Sequence, residues 1–147
     1  MSGQYPEQIS NPTIESPLRQ WREYGGLHRM EGSRCRKCGK VFYPHRFVCN
    51  SCHSLDMETY RFSGRGRIIN YTVNIYPSIL EMGFKEHAGK IMCLVKLDEG
   101  PVVLGELIET ESVSENLKNA RVSAVLRKLP RSANTTWKYG YKFVLEK

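Results

Sequence analysis

The second half of the chain alternates apolar and polar residues with a period of two, which is typical of half-buried β-strands. The first predicted strand turns one apolar face inward at Ile69, Tyr71, Val73 and Ile75. Four further apolar faces follow, at Ile91–Leu97 with Cys93 and Val95, at Val102–Ile108, at Val122, Ala124 and Leu126, and at Tyr139, Tyr141, Phe143 and Leu145. The pattern therefore predicts five strands.

The connections between these strands carry turn and cap signals. Glycines in the segment 61–66 precede the first strand and favour a bend or a β-bulge. Asp98–Pro101 is a turn that joins the second and third strands into a hairpin. Ser112 and Glu115 form a capping box, which predicts a helix of one or two turns. Five strands with a helix between the third and fourth are the element order of an OB-fold barrel over residues 56–147, and a β-sandwich is the alternative.

The beginning of the chain follows a different pattern. Residues 1–15 are rich in turn formers and predict a flexible arm. A short helix is expected next, because Ser16 can cap it, Pro17 suits its first position and Gly25 suits its end. Its apolar face should pack on this chain or on a partner, and the side chains of that face are Leu18, Trp21 and Tyr24.

Four cysteines stand between the predicted helix and the strands, in two pairs with the Cys-x-x-Cys spacing of zinc knuckles. They are Cys35, Cys38, Cys49 and Cys52. Two facing knuckles supply four thiolates, the ligand set of tetrahedral Zn²⁺ in a closed structural site. Gly39 stands where the first knuckle turns under the metal, whereas the second knuckle has His53 there. The sequence therefore predicts a helix and zinc ribbon over 16–55, with a structural metal that leaves no coordination position open.

Other roles for the cysteines can be weighed. Two disulfides would need an oxidising compartment, yet residues 1–10 are polar and do not resemble a signal segment, so a cytoplasmic location is expected. A redox pair of the thioredoxin type would stand beside a βαβ pattern, which this sequence lacks. Iron on the same four thiolates remains the alternative to zinc. The fifth thiol, Cys93, shares a strand face with Val95 and is expected in the core.

Composition and charge narrow the classes of function. The chain has 147 residues of which 40% are hydrophobic, and no apolar run approaches the roughly 20 residues of a membrane helix. Its formal net charge is +7, or about +5 with four thiolates on one Zn²⁺. No glycine-rich phosphate loop, Ser-His-Asp set or carboxylate pair is found. The four histidines (His28, His45, His53 and His87) are scattered, so an enzyme is not expected.

The order of several motifs resembles a known family. These motifs are Cys35–Lys40, Tyr43–Arg46, Cys49–Cys52, Gly64–Ile68 leading to Tyr71–Val73, and Leu94–Pro101. From about Ser16 to Glu146 the chain is similar to the zinc-ribbon/OB-fold proteins that accompany thiolases, a domain of unknown function. His45 and His53 depart from the family pattern, in which proline and glycine are common, and this predicts a slightly different ribbon backbone.

The resemblance implies a mostly β protein, with an N-terminal helix and a rubredoxin-like zinc ribbon followed by a five-stranded OB-fold barrel. It also implies a non-catalytic scaffold or accessory subunit in a hetero-oligomer of acyl-CoA enzymes. Archaeal members, to which the chain looks most similar, hold acetoacetyl-CoA thiolase and hydroxymethylglutaryl-CoA synthase together in the mevalonate route. Contacts to CoA could be shared with a partner, and the candidates by charge for its phosphates are Arg46, Arg65 and Lys90.

Binding of single-stranded nucleic acid is the main alternative, because OB-folds stack bases on aromatic rings in a basic groove. The side chains that could serve are Arg61, Arg65, Arg67, Tyr71 and Tyr76. Most aromatic rings are expected inside the barrel, however, at Tyr71, Tyr139, Tyr141 and Phe143. A CoA-binding subunit of another thiolase-like enzyme is the third interpretation. The segments 77–89 and 130–138 are natural docking surfaces for a partner.

Overall fold

A computed structural model describes residues 17–74, 90–110, 116–129 and 137–146 of the chain. The predicted arm, the capping residues Ser16, Ser112 and Glu115, and the segment 77–89 lie outside these ranges, as does 130–138 except for its last two residues. No helix in the described ranges is long and apolar enough to cross a membrane. The elements are α1 (Pro17–Arg29), β1 (Glu31–Cys35), β2 (Val41–Phe42), β3 (Met57–Arg61), β4 (Arg65–Asn74), β5 (Lys90–Leu97), β6 (Val102–Leu107), β7 (Arg121–Leu129) and β8 (Lys138–Leu145).

The first three strands form an antiparallel sheet in the order β2-β1-β3, and Cys35 is the last residue of the central strand. β1 pairs with β3 along its whole length, starting with Glu31 opposite Arg61. The sheet of the ribbon therefore continues past the boundary expected at residue 55. Ser33 in the central strand is fully buried, and its hydroxyl accepts the backbone N–H of Arg46 at 3.0 Å. This bond fixes the loop between the knuckles to the sheet.

The other five strands close into a barrel in the order β4-β5-β6-β8-β7. Neighbouring strands are antiparallel except β6 and β8, which run parallel where Leu107 lies opposite Phe143. This order and direction are those of the OB-fold, so the predicted fold class is confirmed. The core contains side chains from all five strands, and its fully or nearly fully buried members include Ile68, Ile91, Cys93, Val95, Leu97, Val103, Leu107, Val122 and Phe143.

A β-bulge changes the predicted inner face of β4. The register of β4 against β5 shifts between Ile68 and Asn70. As a result Ile68 is fully buried, whereas the Ile69 residue is 38% exposed. The alternating pattern predicts Ile69 on the inner face with Tyr71, and this is wrong because the extra residue of the bulge turns it outward. The glycines of 61–66 predict a bend or a bulge, and the bulge lies just after that segment, between Ile68 and Asn70.

The hairpin of β7 and β8 continues beyond the barrel. β7 pairs with β4 only as far as Ser123, but its ladder with β8 continues to Leu129 opposite Lys138. No other described strand pairs with this outer half, and Leu126 and Tyr139 are 49% and 41% exposed there. The prediction that Tyr139 faces the core is therefore wrong, because this part of β8 has no barrel interior beside it.

Helix α1 continues past the end predicted at Gly25 and stops at Met30, which has a φ of 52°. The Met30 N–H donates to the Gly26 carbonyl at 3.2 Å, and the Phe62 N–H donates to the Met30 carbonyl at 3.0 Å. Met30 and Phe62 are both buried in the main core cluster. An added Cβ at Gly25 would overlap the carboxylate end of the flexible Glu31 side chain, which can move aside. The helix end, the ribbon and the barrel thus share one core.

Candidate metal centre

The two cysteine pairs form knuckles with the same backbone hydrogen bonds. Gly39 donates its N–H to the Cys35 carbonyl at 2.9 Å, and His53 donates to the Cys49 carbonyl at 3.0 Å. In each knuckle the N–H of the first cysteine bonds to the carbonyl five residues later, at 2.9 and 3.0 Å. Gly39 and His53 have φ angles of 74° and 54°. The histidine therefore leaves the hydrogen-bonding pattern of the knuckle unchanged.

The four sulfur atoms meet between the knuckles. All four Sγ atoms lie within 4.8 Å of one another, and the pairs Cys35–Cys52 and Cys38–Cys49 are each 3.5 Å apart. A disulfide needs about 2.05 Å, whereas two thiolates on one Zn²⁺, each about 2.3 Å from the ion, lie about 3.8 Å apart. The cysteines are free, and their spacing suits a single tetrahedral metal ion.

The pKa values of two of the cysteine thiols also favour binding of a metal ion. The backbone N–H groups of Cys52 and Ser51 lower the pKa of Cys49 to about 6. The Ser54 N–H favours the thiolate of Cys52, but burial and hydrogen bonds to Cys35 and the other thiols raise its pKa to about 12. The raised pKa of Cys52 disfavours its thiolate in the absence of a cation. A bound dication would remove the remaining protons, which is the usual coupling of metal binding to thiol ionisation.

The three basic residues considered for CoA phosphates do not meet at one place. Arg46 lies in the ribbon and donates to Asn50 Oδ1 at 3.1 Å. Arg65 begins β4, whereas Lys90 pairs with Asn74 at the far end of that strand. The rise of a β-strand puts Arg65 and Lys90 on the order of 25 Å apart. A single phosphate site built from both residues is therefore excluded by the geometry.

Aromatic rings that the sequence analysis missed join the ribbon to the barrel. The Tyr43 ring packs edge-on against Phe62 and Tyr141, with centroids 5.9 and 6.0 Å apart. Its hydroxyl donates to the Gly26 carbonyl at 3.1 Å. Burial raises the pKa of Tyr43 far above its ordinary value, and the neighbouring Tyr141 adds to this. The apolar run Val41–Pro44 was the available signal, but a run between knuckles does not indicate which module it packs on.

A groove separates the first knuckle from the turn between β5 and β6. Its lining residues are Gly39, Lys40, Val41, Glu99, Gly100 and Pro101. Glu99 Oε1 accepts the N–H of Ser63 at 2.7 Å, which ties the turn to the segment that links ribbon and barrel. Glu99 Oε2 is buried and has no hydrogen-bond partner in the described ranges. The barrel turn is thus held against the linking segment beside the metal centre.

Comparison with known protein families gives matches over the ribbon and over most of the chain. The family described as ChsH2, rubredoxin-like zinc ribbon domain, matches residues 22–58. A DUF35 domain-containing scaffold protein of Pyrococcus furiosus is 33% identical over 127 residues, which cover 85% of this chain and 89% of that protein. A protein of the same description from Methanothermobacter thermautotrophicus is 32% identical over 128 residues, covering 86% and 93%.

Two solved structures share the fold. The Ltp2-ChsH2(DUF35) aldolase has a TM-score of 0.65 and 21% identity, covering 92% of this chain and 98% of that chain. A DUF35-family protein of unknown function from Sulfolobus solfataricus has a TM-score of 0.51 and 19% identity, covering 95% of both chains. The expectation that the chain stands outside enzyme catalysis is corrected by the first likeness, because a structure with this fold is an aldolase. The lack of a recognisable catalytic motif in the sequence therefore does not show that a protein with this fold takes no part in catalysis.

Proposed function

Because the chain belongs to the family of DUF35 domain-containing scaffold proteins, we propose that it holds an acetoacetyl-CoA thiolase and a hydroxymethylglutaryl-CoA synthase together. The family resemblance read from the cysteine pairs and the later motifs is confirmed. The two enzymes, the mevalonate route and a cytoplasmic location are the parts of this proposal that go beyond the family.

The observation that best supports a bridging role is that large apolar side chains are exposed on two parts of one body, the helix and ribbon on one side and the barrel on the other. On the helix and ribbon, Trp21, Phe47 and Leu55 are 78%, 80% and 77% exposed. On the barrel, Leu104 is 58% exposed. Exposed large apolar side chains of this kind are candidate contacts for a partner protein. Since the helix end, ribbon and barrel share one core, partners bound to these surfaces would keep a fixed separation.

Bridging these two enzymes has a clear chemical use. The thiolase equilibrium favours cleavage of acetoacetyl-CoA, so condensation proceeds only when its product is removed promptly. A scaffold that keeps the synthase beside the thiolase raises the effective concentration of the second enzyme for that product. Contacts between the scaffold and CoA, through Arg46, Arg65 or Lys90 separately, are part of the same proposal.

A trapping experiment with four purified proteins tests this function. The two enzymes convert acetyl-CoA in the presence of NADH and a 3-hydroxyacyl-CoA dehydrogenase, which reduces free acetoacetyl-CoA. With this chain present, the yield of hydroxymethylglutaryl-CoA should resist increasing amounts of the dehydrogenase. Equal sensitivity with and without the chain would contradict the proposal.

We propose Zn²⁺ as the metal held by the four cysteines. Zinc suits a closed site with four sulfur ligands and would supply structural cross-linking of the two knuckles. The sulfur spacing alone does not separate zinc from iron, so metal analysis decides. About one equivalent of zinc per chain and no visible absorption are expected, whereas the coloured tetrathiolate of ferric iron would contradict the assignment.

A second candidate is a subunit of another acyl-CoA enzyme such as an aldolase, supported by the TM-score of 0.65 to an aldolase structure. Adding this chain to the cognate enzyme would then raise aldol cleavage of an acyl-CoA substrate. Nucleic-acid binding has less support, because the outer surface of β5 and β6 presents Leu94, Val102 and Leu104 rather than aromatic rings. Salt-sensitive retention of single strands in a filter-binding assay would revive it.

A further inference from the structure

The outside of the barrel carries a row of exposed aliphatic side chains across three strands. Leu94 of β5 lies directly opposite Leu104 of β6. On the other side of Leu94 stands Asn70 of β4, and the bulge turns the preceding residue, Ile69, outward beside it. Ile69 and Leu94 are each 38% exposed and Leu104 is 58% exposed. Leu94 and Leu104 are opposite each other and so within contact distance, and Ile69 is the diagonal neighbour of Leu94 next to Asn70, still within reach of a long side chain. We call these three residues the aliphatic row.

A basic edge runs along one side of the aliphatic row. Arg67 of β4 and Lys96 of β5 are exposed and lie opposite each other. Like charges in directly opposed positions destabilise a sheet. Lys96 forms no ion pair in the described ranges, and the Arg67 guanidinium donates to the Asn119 carbonyl at 3.5 Å. The nearby Asp98 carboxylate is already taken by Arg121, at 2.7 and 3.1 Å.

The opposite side of the row offers no free acidic group in the described ranges. Glu106 of β6 pairs with Lys142 of β8 at 2.7 Å, and the two side chains are only 22% and 12% exposed. Thr72 and Met92 complete that side. The face is therefore apolar at its centre, positive along one edge and neutral along the other.

We propose that the aliphatic row and its basic edge dock a partner protein whose surface is apolar and bordered on one side by acidic residues. The proposal rests on the scaffold function and names the barrel surface that performs it. A second copy of this chain is less suited, because Glu106, the carboxylate on the described part of this face, is already paired with Lys142 and is not free to meet the basic edge of its twin. Single-stranded nucleic acid would use the cations but gains no stacking from aliphatic side chains.

The test uses the full chain and the two purified enzymes, thiolase and synthase, with dissociation constants measured by titration calorimetry. Leu94→Asp and Leu104→Asp should each weaken the binding of one of the two enzymes by at least about tenfold. Lys96→Glu should weaken the same enzyme severalfold at low salt, with a smaller effect at high salt. The matched control is Leu126→Asp, on the hairpin beyond the barrel, where the leucine is 49% exposed. It should leave both affinities within about twofold.

The outcomes separate this surface from the scaffold function itself. If the wild-type chain binds an enzyme and both aspartate variants bind it equally well, the surface is wrong and the scaffold function stands. If the wild-type chain binds neither enzyme, both proposals fail. A wild-type dimer that the variants convert to a monomer without changed enzyme binding would assign the row to a second copy and overturn the proposal. Should the aspartate variants lose their metal or circular dichroism spectrum, the double variant Leu94→Ala and Leu104→Ala replaces them, with the same direction expected.

Discussion

Gly39 and His53 occupy the same position in the two knuckles, and both have a positive φ, 74° and 54°. Only glycine adopts this left-handed region freely, and a residue with a Cβ gives up about 1 kcal/mol there. His53 stays in it because its N–H closes the second knuckle through the Cys49 carbonyl. The backbone of His53 is thus held in a strained conformation by the geometry of the knuckle.

Separate substitutions of His53 and Gly39 should change the free energy of unfolding in opposite directions. His53→Gly should raise the free energy of unfolding of the metal-loaded protein by about 0.5–1 kcal/mol, because the strain is relieved. Gly39→Ala should lower it by about 1 kcal/mol. An added Cβ at Gly39 meets no atom within 4 Å, so this loss would come from the backbone alone. Urea titrations measure both, and a destabilised His53→Gly variant would contradict the interpretation.

Removing one buried sulfur should abolish metal retention. Cys49 is fully buried between the knuckles, and a site left with three thiolates no longer closes around the ion. Cys49→Ser is expected to retain much less than one metal ion per chain after dialysis, as measured by elemental analysis. Cys93→Ala, which removes a thiol from the barrel core, serves as the control and should keep its metal. Full metal content in Cys49→Ser would show that the cluster is not the site.

The pair Arg121 and Asp98 should give stability a specific pH dependence. The hydrogen bond from Arg121, aided by the charges of Arg67 and Arg65, holds the pKa of Asp98 below its ordinary value. A lowered folded pKa contributes stability that is present above the unfolded pKa of about 3.9 and disappears as the pH falls through the folded value. Arg121→Gln should therefore be less stable than wild type near neutral pH, and the difference should shrink below about pH 4.

Unfolding titrations at several pH values measure this dependence. Asp98→Asn removes the same ion pair and should lose stability in the same direction, although Arg121 keeps its second contact, with Glu146 at 3.5 Å. The double variant should therefore lose less than the sum of the two single losses. A difference between wild type and Arg121→Gln that stays constant down to pH 2 would assign the effect to packing instead.

A methyl group at Gly66 should disrupt the barrel. An added Cβ would overlap the Lys96 carbonyl and lie 2.8 Å from Val95 Cγ1 on the neighbouring strand. Gly66→Ala should therefore lower the free energy of unfolding by about 1–3 kcal/mol. Thr72→Ala, an exposed position of the same strand, should change it by less than about 0.5 kcal/mol. Equal melting temperatures for the two variants would show that the strands are farther apart than described.

The remaining thiol, Cys93, should be unreactive in the folded protein. It is fully buried, its Sγ lies 3.3 Å from the Gly105 carbonyl, and burial raises its pKa to about 11. Because the thiolate is the reactive form, a disulfide reagent at pH 8 should label Cys93 only after unfolding. The Cys93→Ala variant identifies its share of the signal. Fast labelling in the native, metal-loaded protein would place Cys93 at the surface.

Local patterns in the sequence were enough for the parts of the fold that depend on neighbouring residues. The spacing of each cysteine pair indicated the knuckles, and the alternation from Ile91 to Leu97 with the turn after it indicated the β5–β6 hairpin. Five predicted strands with a helix between the third and fourth then favour a barrel. Each of these follows from chemistry within a few residues, which a sequence displays directly.

The errors arose where a residue depends on distant partners. Alternation with a period of two does not locate an extra residue, so it predicts Ile69 on the wrong face of β4. The alternating pattern puts Tyr139 on the inner face of its strand. Whether that face borders the barrel interior depends on how far β7 pairs with β4. Gly25 predicts a helix end, but the helix continues to Arg29 and stops at Met30, whose carbonyl accepts the N–H of the distant Phe62. The aliphatic row was hidden for the same reason, since only the bulge and the strand pairing bring Ile69, Leu94 and Leu104 together.

The central claim, that this chain bridges two enzymes, is tested most directly by the mass of the assembly. Sedimentation velocity of the thiolase and the synthase should show two separate species without this chain. With the metal-loaded chain added, a single larger species containing all three proteins is expected. If each enzyme still sediments separately, or if the two enzymes displace each other from the chain, the bridging account is wrong.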